Sequence, residues 1–141
     1  MSSRTGIVGV LIAGLLVGCG SDSDGGSLAL PDGPPTDCTD VAEYNLAIAQ
    51  ARLTAWDDAG ITFTEVQAAE DDPEAAADME ARVEDVLPAG YFERASEALG
   101  ATASLDCDEA EIDAYMCNNA DQLEAKGSGS GFLLAEFVDF C

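Results

Sequence analysis

Residues 40–60 constrain the fold most, because their apolar side chains would cover more than half the circumference of one helix. Asp40 and Glu43 have the spacing of a capping box, and Gly60 ends the pattern. At about 100° per residue, the apolar positions form two stripes. They are Val41, Tyr44, Ile48, Ala51 and Ala55 in one stripe, and Leu46, Ala49, Leu53 and Trp56 in the other. We therefore expect this helix to lie at the centre of the domain.

Two polar side chains lie between these stripes. Asn45 and Arg52 are seven residues apart, which places them two turns apart on one helix face. One interpretation is a buried arginine that pairs with one of the chain's many carboxylates. The other is an anion-binding pair, in which the guanidinium of Arg52 and the amide of Asn45 hold a carboxylate or phosphate of a ligand. The sequence leaves both interpretations open.

The rest of the domain shows helical periodicity and no convincing strand. Ile61 to Thr64 is expected to be a short extended connection that carries Phe63 inward, and residues 127–131 are expected to be a flexible glycine loop. The segments predicted to be helical are 64–69, 73–87, 88–99, 106–123 and 132–140. Asp72 is the expected cap before Pro73. The expected inner face of 88–99 consists of Tyr91 or Phe92, Ala95 and Leu99. The predicted fold class is therefore all-α, a compact bundle of about five helices.

Four cysteines follow residue 37, and an even number in a small exported domain indicates two disulfides. Their spacings match no zinc or redox motif, so a four-cysteine metal site is the less favoured alternative. Cys107 and Cys117 would lie about 15 Å apart along one helix, too far for a bond. If antiparallel helices flank the glycine loop, Cys117 and Cys141 come level with each other. We therefore prefer Cys38–Cys107 and Cys117–Cys141 among the three possible pairings.

The first 19 residues have the features of an export signal. Arg4 is the only charge before a 14-residue apolar run, Thr5 to Gly18. A helix of that length extends about 21 Å, less than the roughly 30 Å hydrocarbon core of a bilayer. The run ends in Leu16-Val17-Gly18-Cys19, which resembles the lipobox of bacterial lipoproteins. The resemblance implies that Cys19 receives a diacylglyceryl group and becomes the first residue after cleavage.

This assignment divides the chain into three parts. Residues 1–18 are the signal peptide, 19–37 are a lipidated flexible tether rich in Gly, Ser and Pro, and 38–141 are the helical domain. Two acyl chains would hold the protein stably at the membrane. The expected location is outside the cytoplasm on the cell membrane. Because Gly20 follows the cysteine, the resemblance implies the outer membrane in an organism that has one.

The charge of the chain limits its partners. There are 28 acidic residues against five basic ones, and no histidine. A nucleic-acid-binding protein needs a basic surface, so we expect no nucleic-acid partner. Anionic lipid headgroups would repel the domain, which leaves the lipid as its contact with the membrane. The acidity favours a solvated surface, and the alternative is attraction to a cationic partner or to loosely held divalent metal ions.

The sequence contains no motif that points to catalysis. Without histidine there is no Ser-His or Cys-His pair, and no phosphate loop, nucleotide fingerprint or nucleophile elbow occurs. We expect no enzyme activity, no cofactor and no metal site. The predicted function is a non-catalytic surface lipoprotein that interacts with another envelope or extracellular protein. The alternative is a lipoprotein that binds a small molecule or anion through Arg52 and Asn45.

Overall fold

The structure is a computed structural model that describes residues 30–139 and residue 141. The described residues form six α helices and one 3-10 turn and no strand, which confirms the all-α fold. The helices are α1 Cys38–Asp58, α2 Phe63–Asp71, α3 Pro73–Glu84, α4 Tyr91–Ser104, α5 Glu109–Asn118 and α6 Ser128–Val138, with the 3-10 turn at Ala120–Gln122. The predicted signal peptide, Cys19 and the tether as far as residue 29 lie outside the described residues.

Helix α1 is the centre of the bundle, as its pattern predicts. It packs against α3, α4, α5 and α6, and Leu53 and Trp56 are almost completely buried. The sequence places its start at Asp40, whereas the helix begins at Cys38. The cap is Asp37, whose carboxylate accepts from the backbone N–H of Asp40 at 2.9 Å, while the Asp40 carboxylate accepts from Thr36.

Helix α2 begins earlier than the sequence predicts. Thr62 and Glu65 form a capping box, so that Phe63 is the first helical residue and not part of an extended connection. The prediction that Phe63 points inward is wrong, because its side chain is 40% exposed and rests against Phe132, with 5.4 Å between ring centroids. Helix α3 starts as predicted, with Asp72 as its cap and Pro73 at the first position.

Helix α4 starts later and ends later than expected. Gly90 precedes it with a left-handed φ of +80°, and the helix continues through Gly100 to Ser104. Leu99 is 64% exposed, so the prediction that it lies on the inner face of this helix is wrong. Helix α5 is capped by Asp108, so Cys107 lies just outside the helix.

Two disulfides join Cys38 to Cys107 and Cys117 to Cys141, with Cα atoms 5.5 Å and 5.6 Å apart. This is the preferred pairing, and it leaves none of the four thiols for a metal. The disulfide between Cys117 and Cys141 does not form for the reason we expect from the sequence, which is a pair of antiparallel helices around a glycine loop. Residues 127–131 are not a flexible loop between antiparallel helices, because α6 already begins at Ser128. A 3-10 turn and an extended segment separate α5 from α6.

The start of α6 is attached to the end of α1 by one carboxylate. Asp57 accepts from the backbone N–H groups of Lys126 at 2.9 Å and Gly127 at 2.8 Å, and also from the hydroxyl of Ser130. Gly129 lies so close to Ile61 that a Cβ there would come within 2.8 Å of the Ile61 carbonyl carbon. The glycine segment is therefore a closely packed helix start.

The sequence predicts that the domain begins at Cys38. In the structure, the packed part of the chain begins earlier. Leu30 packs against the main core, and Pro35 is buried. The hydroxyl of Tyr44 lies 3.4 Å from the carbonyl oxygen of Asp32. Residues 30–37 thus lie along the domain, and only the earlier part of the predicted tether is outside the described residues.

Candidate functional site

Helix α1 places Asn45 and Arg52 on a wall that also lines a cavity of about 260 Å³. Both side chains are half-buried, in agreement with their position between two apolar stripes. The other walls come from α3, from the connection that follows it, and from α4. Most of the lining is apolar, and its larger apolar members are Trp56, Met79, Val83, Leu87, Phe92 and Leu99.

A second cavity, of about 420 Å³, lies on the other side of the same two residues. Ile48, Tyr91 and Thr102 line both cavities together with Asn45 and Arg52. The remaining wall of the second cavity comes from α5 and α6, apart from Ala49 of α1, and is partly acidic. It consists of Ala49, Glu109, Ile112, Asp113, Met116, Glu136 and Phe137. Arg52 therefore lies at the boundary between an apolar cavity and a more acidic one.

Arg52 differs from the other two arginines that the structure describes. Arg82 contacts Glu65 at 2.6 Å and the carbonyl oxygen of Ala59 at 2.9 Å. Arg94 contacts Glu97 at 2.5 Å. Within residues 30–139 and 141, no carboxylate oxygen lies within 4.0 Å of the Arg52 guanidinium. An ion pair inside the protein, one of the two interpretations of Arg52, has no partner in this part of the chain.

The side chains around Arg52 offer hydrogen-bond donors to a ligand. Burial raises the pKa of the Tyr91 hydroxyl, and the Arg52 guanidinium beside it acts in the opposite direction. Asn45 donates one amide hydrogen to the carbonyl of Val41 at 3.0 Å, which leaves its second N–H. Thr102 donates its hydroxyl hydrogen to the carbonyl of Ala98 at 2.9 Å, so it can only accept from a ligand.

An arrangement of this kind can bind an anion. The planar guanidinium presents two parallel N–H groups to a carboxylate, and the phenol hydroxyl of Tyr91 is a further donor beside it. The lining is mostly apolar and Arg52 is half-buried, which reduces screening by water and strengthens a charged hydrogen bond. The site therefore combines one positive charge with a largely apolar enclosure.

Sequence reasoning places Arg52 and Asn45 together but misses Tyr91 as their neighbour. The sequence places either Tyr91 or Phe92 on the inner face of α4, and Tyr91 is the buried one of the two. Its approach to Arg52 depends on the rotation of α4 relative to α1. No local pattern encodes that rotation, which results from packing between segments about 40 residues apart.

No family model, curated protein or solved structure matches this chain. Among the helices that the structure describes, none is long and apolar enough to cross a membrane. The described part of the chain also holds no group of three or more His, Cys, Asp or Glu side chains that could bind a metal ion. Cys19 lies outside the described residues, so its lipidation stays a prediction.

Proposed function

We propose that this chain is a non-catalytic lipoprotein that binds a small anionic molecule outside the cytoplasm. Arg52 supplies the charge that holds the ligand, and Asn45 and Tyr91 add hydrogen bonds. One observation carries the proposal: Arg52 lines an apolar cavity and has no carboxylate within 4.0 Å among the described residues. The other two arginines of that region each contact a glutamate.

The energetic reason is the cost of an unpaired charge. A half-buried guanidinium loses part of its hydration, and a paired carboxylate normally compensates for that loss. The chain has 28 acidic residues, so a partner for Arg52 would be easy to provide. An arginine without one, at the wall of a cavity, is typical of a site whose missing partner is the ligand.

The anchor is the second part of the proposal. We propose that Cys19 carries the lipid, on the strength of the lipobox resemblance, and that the domain stays on the outer face of the membrane. Leu30 packs on the core, so at most residues 20–29 separate the lipidated cysteine from the domain. The ligand site would then lie close to the bilayer surface.

A protein-interaction module is the second candidate function. It is favoured by the apolar surface of α4, where Leu99 is 64% exposed and Leu105 is 39% exposed. A cationic partner would complement the acidic surface of the chain. Leu105 lines neither cavity, so a Leu105→Ser variant should weaken an interaction of this kind and leave ligand binding at Arg52 unchanged.

Native mass spectrometry of the protein purified from its own membranes tests the ligand proposal. We expect a bound small molecule on the wild-type protein and none on an Arg52→Met variant. Lys126→Met is the matched control, because it removes one positive charge from an exposed side chain that lines neither cavity. Equal occupancy of the wild-type and Arg52→Met proteins would contradict the proposal.

Membrane fractionation tests the anchor. The wild-type protein is expected in the membrane fraction, and a Cys19→Ser variant in the soluble fraction. The precursor should also accumulate uncut when lipoprotein signal peptidase is inhibited. A serine variant that stays in the membrane fraction would exclude the lipid anchor.

A further inference from the structure

We infer that the ligand is a monocarboxylate with an apolar body, which it places in the cavity of about 260 Å³. This inference rests on the proposed function, because it specifies the chemistry of the molecule that Arg52 holds. It excludes inorganic phosphate, phosphate esters and small hydrophilic anions. The class includes medium-chain fatty acids and aromatic acids of similar length.

The charges around the cavity limit the ligand to a single negative charge. Arg52 is the one cation that lines either cavity. Glu80 and Glu84 line the first cavity, beside its apolar residues. The acidic side chains that line the second cavity are Glu109, Asp113 and Glu136. A dianion would place its second charge among these carboxylates with no cation to compensate it.

The apolar lining determines the body of the ligand. Trp56, Leu87 and Phe92 surround the first cavity, and Leu99 continues this lining out to the exposed surface. A small hydrophilic anion would leave these surfaces in contact with water. A hydrocarbon body would cover them, and each buried methylene group adds to affinity.

The position of the donors fixes the orientation of the ligand. Arg52, Asn45 and Tyr91 line both cavities, so they lie at the boundary between the two. The second cavity has three acidic side chains on its wall, which would repel a carboxylate placed deeper inside it. The carboxylate therefore lies at the boundary, with the apolar body in the first cavity.

Isothermal titration calorimetry of the mature lipidated protein in detergent tests the ligand class. We expect octanoate to bind. Octanamide, its neutral analogue, should bind at least about tenfold more weakly, because it carries no negative charge and offers one acceptor oxygen where the carboxylate offers two. Acetate keeps the charge but lacks the chain, and should bind at least about a hundredfold more weakly. Inorganic phosphate and octylammonium should show no binding.

Variants of Arg52 connect this preference to the site. Arg52→Met should weaken octanoate binding at least about tenfold and octanamide binding much less, because the amide has no charge to lose a partner. The remaining octanamide binding also shows that the variant is folded. Arg52→Lys keeps the charge without the planar fork and should give an intermediate loss. Lys126→Met should bind octanoate as the wild-type protein does.

A pair of alanines on α4 tests the position of the apolar body. Ala95 lines the first cavity, so Ala95→Phe should fill it and weaken octanoate binding about tenfold or more. Ala103 is exposed on the same helix and lines neither cavity, so Ala103→Phe should have no effect. Equal losses in the two variants would contradict a body placed in the first cavity.

The outcomes separate this inference from the proposed function. Phosphate or acetate that binds as tightly as octanoate, with the affinity lost in Arg52→Met, would overturn the ligand class and leave an anion site standing. Octanamide that binds as tightly as octanoate would overturn the carboxylate. Octylammonium that binds more tightly than octanoate, or octanoate binding that does not change in Arg52→Met, would overturn both.

Discussion

Asp57, near the end of α1, accepts a hydrogen bond from the hydroxyl of Ser130, 73 residues further along the chain. The same carboxylate accepts from the backbone N–H groups of Lys126 and Gly127. The position of Asp57 is unfavourable for α1, whose C-terminal end repels a negative charge, but favourable for the N-terminal end of α6. One side chain therefore holds the two backbone N–H groups that come just before α6 and the hydroxyl of Ser130 in its first turn.

Removal of this charge should destabilise the domain. Asp57→Asn keeps the shape of the side chain but replaces charged hydrogen bonds with neutral ones, and its amide group cannot accept where the second oxygen did. We expect a loss of about 1–3 kcal/mol in the free energy of unfolding, measured by urea titration. Asp58→Asn is the control, because Asp58 is the exposed neighbour. Equal effects at the two positions would contradict the role of Asp57.

The glycines of α6 should respond in opposite directions to the same substitution. A Cβ at Gly129 would collide with the backbone of Ile61, whereas nothing lies within 4 Å of a Cβ at Gly131. Gly129→Ala should destabilise the domain by about 1–3 kcal/mol. Gly131→Ala should be neutral or stabilise it by up to about 1 kcal/mol, because alanine favours helix. Thermal unfolding of the two variants measures the difference, and a tolerated Gly129→Ala would contradict the close approach.

These glycines also mark where sequence reasoning about the fold stops. The apolar stripes of α1 predict its central position, and Asp72-Pro73 predicts the start of α3. Each of these signals lies within one continuous segment of the sequence. The same local reasoning reads Gly127 to Gly131 as a loop. The helix forms there because Asp57 and Ile61 supply contacts from a distant segment, and such contacts leave no local pattern.

The free energy of unfolding should depend on pH below 4.5 because of the ion pair between Glu65 and Arg82. The hydrogen bond from Arg82, assisted by Thr62, lowers the pKa of Glu65 from 4.5 to about 2. The folded state thus favours the ionised form, and the stability that this brings is present above pH 4.5 and is lost as the pH falls toward 2.

The measurement compares the wild-type protein with Glu65→Gln by urea unfolding at several pH values. Comparing the two proteins cancels the effect of the other carboxylates, whose titration relieves repulsion in this acidic chain. The stability difference should be largest at neutral pH and shrink between pH 4.5 and 2. Arg82→Met should reduce the same pH dependence but not abolish it, because the hydrogen bonds from Thr62 to Glu65 remain. A difference that stays constant down to pH 2 would contradict the lowered pKa.

The sequence predicts the part of the candidate site that lies on one helix. Asn45 and Arg52 share a helix, so their spacing alone places them on one face between two apolar stripes. The choice between an internal ion pair and a ligand site depends on which carboxylates come near, and that is a matter of how α3, α4 and α5 pack on α1. Tyr91 and the apolar cavity arise from that packing, and neither has a signal in the sequence.

The most direct test of the proposed role of Arg52 is urea unfolding of the wild-type and Arg52→Met proteins, each with and without octanoate. Octanoate at about 100 times its dissociation constant should stabilise the wild-type protein by about 2.7 kcal/mol. Arg52→Met should be at least as stable as the wild-type protein without ligand, because it removes an unpaired charge from an apolar wall, and it should gain almost nothing from octanoate. A large loss of stability in the ligand-free variant, or equal stabilisation of both proteins by octanoate, would contradict a ligand-binding role for Arg52.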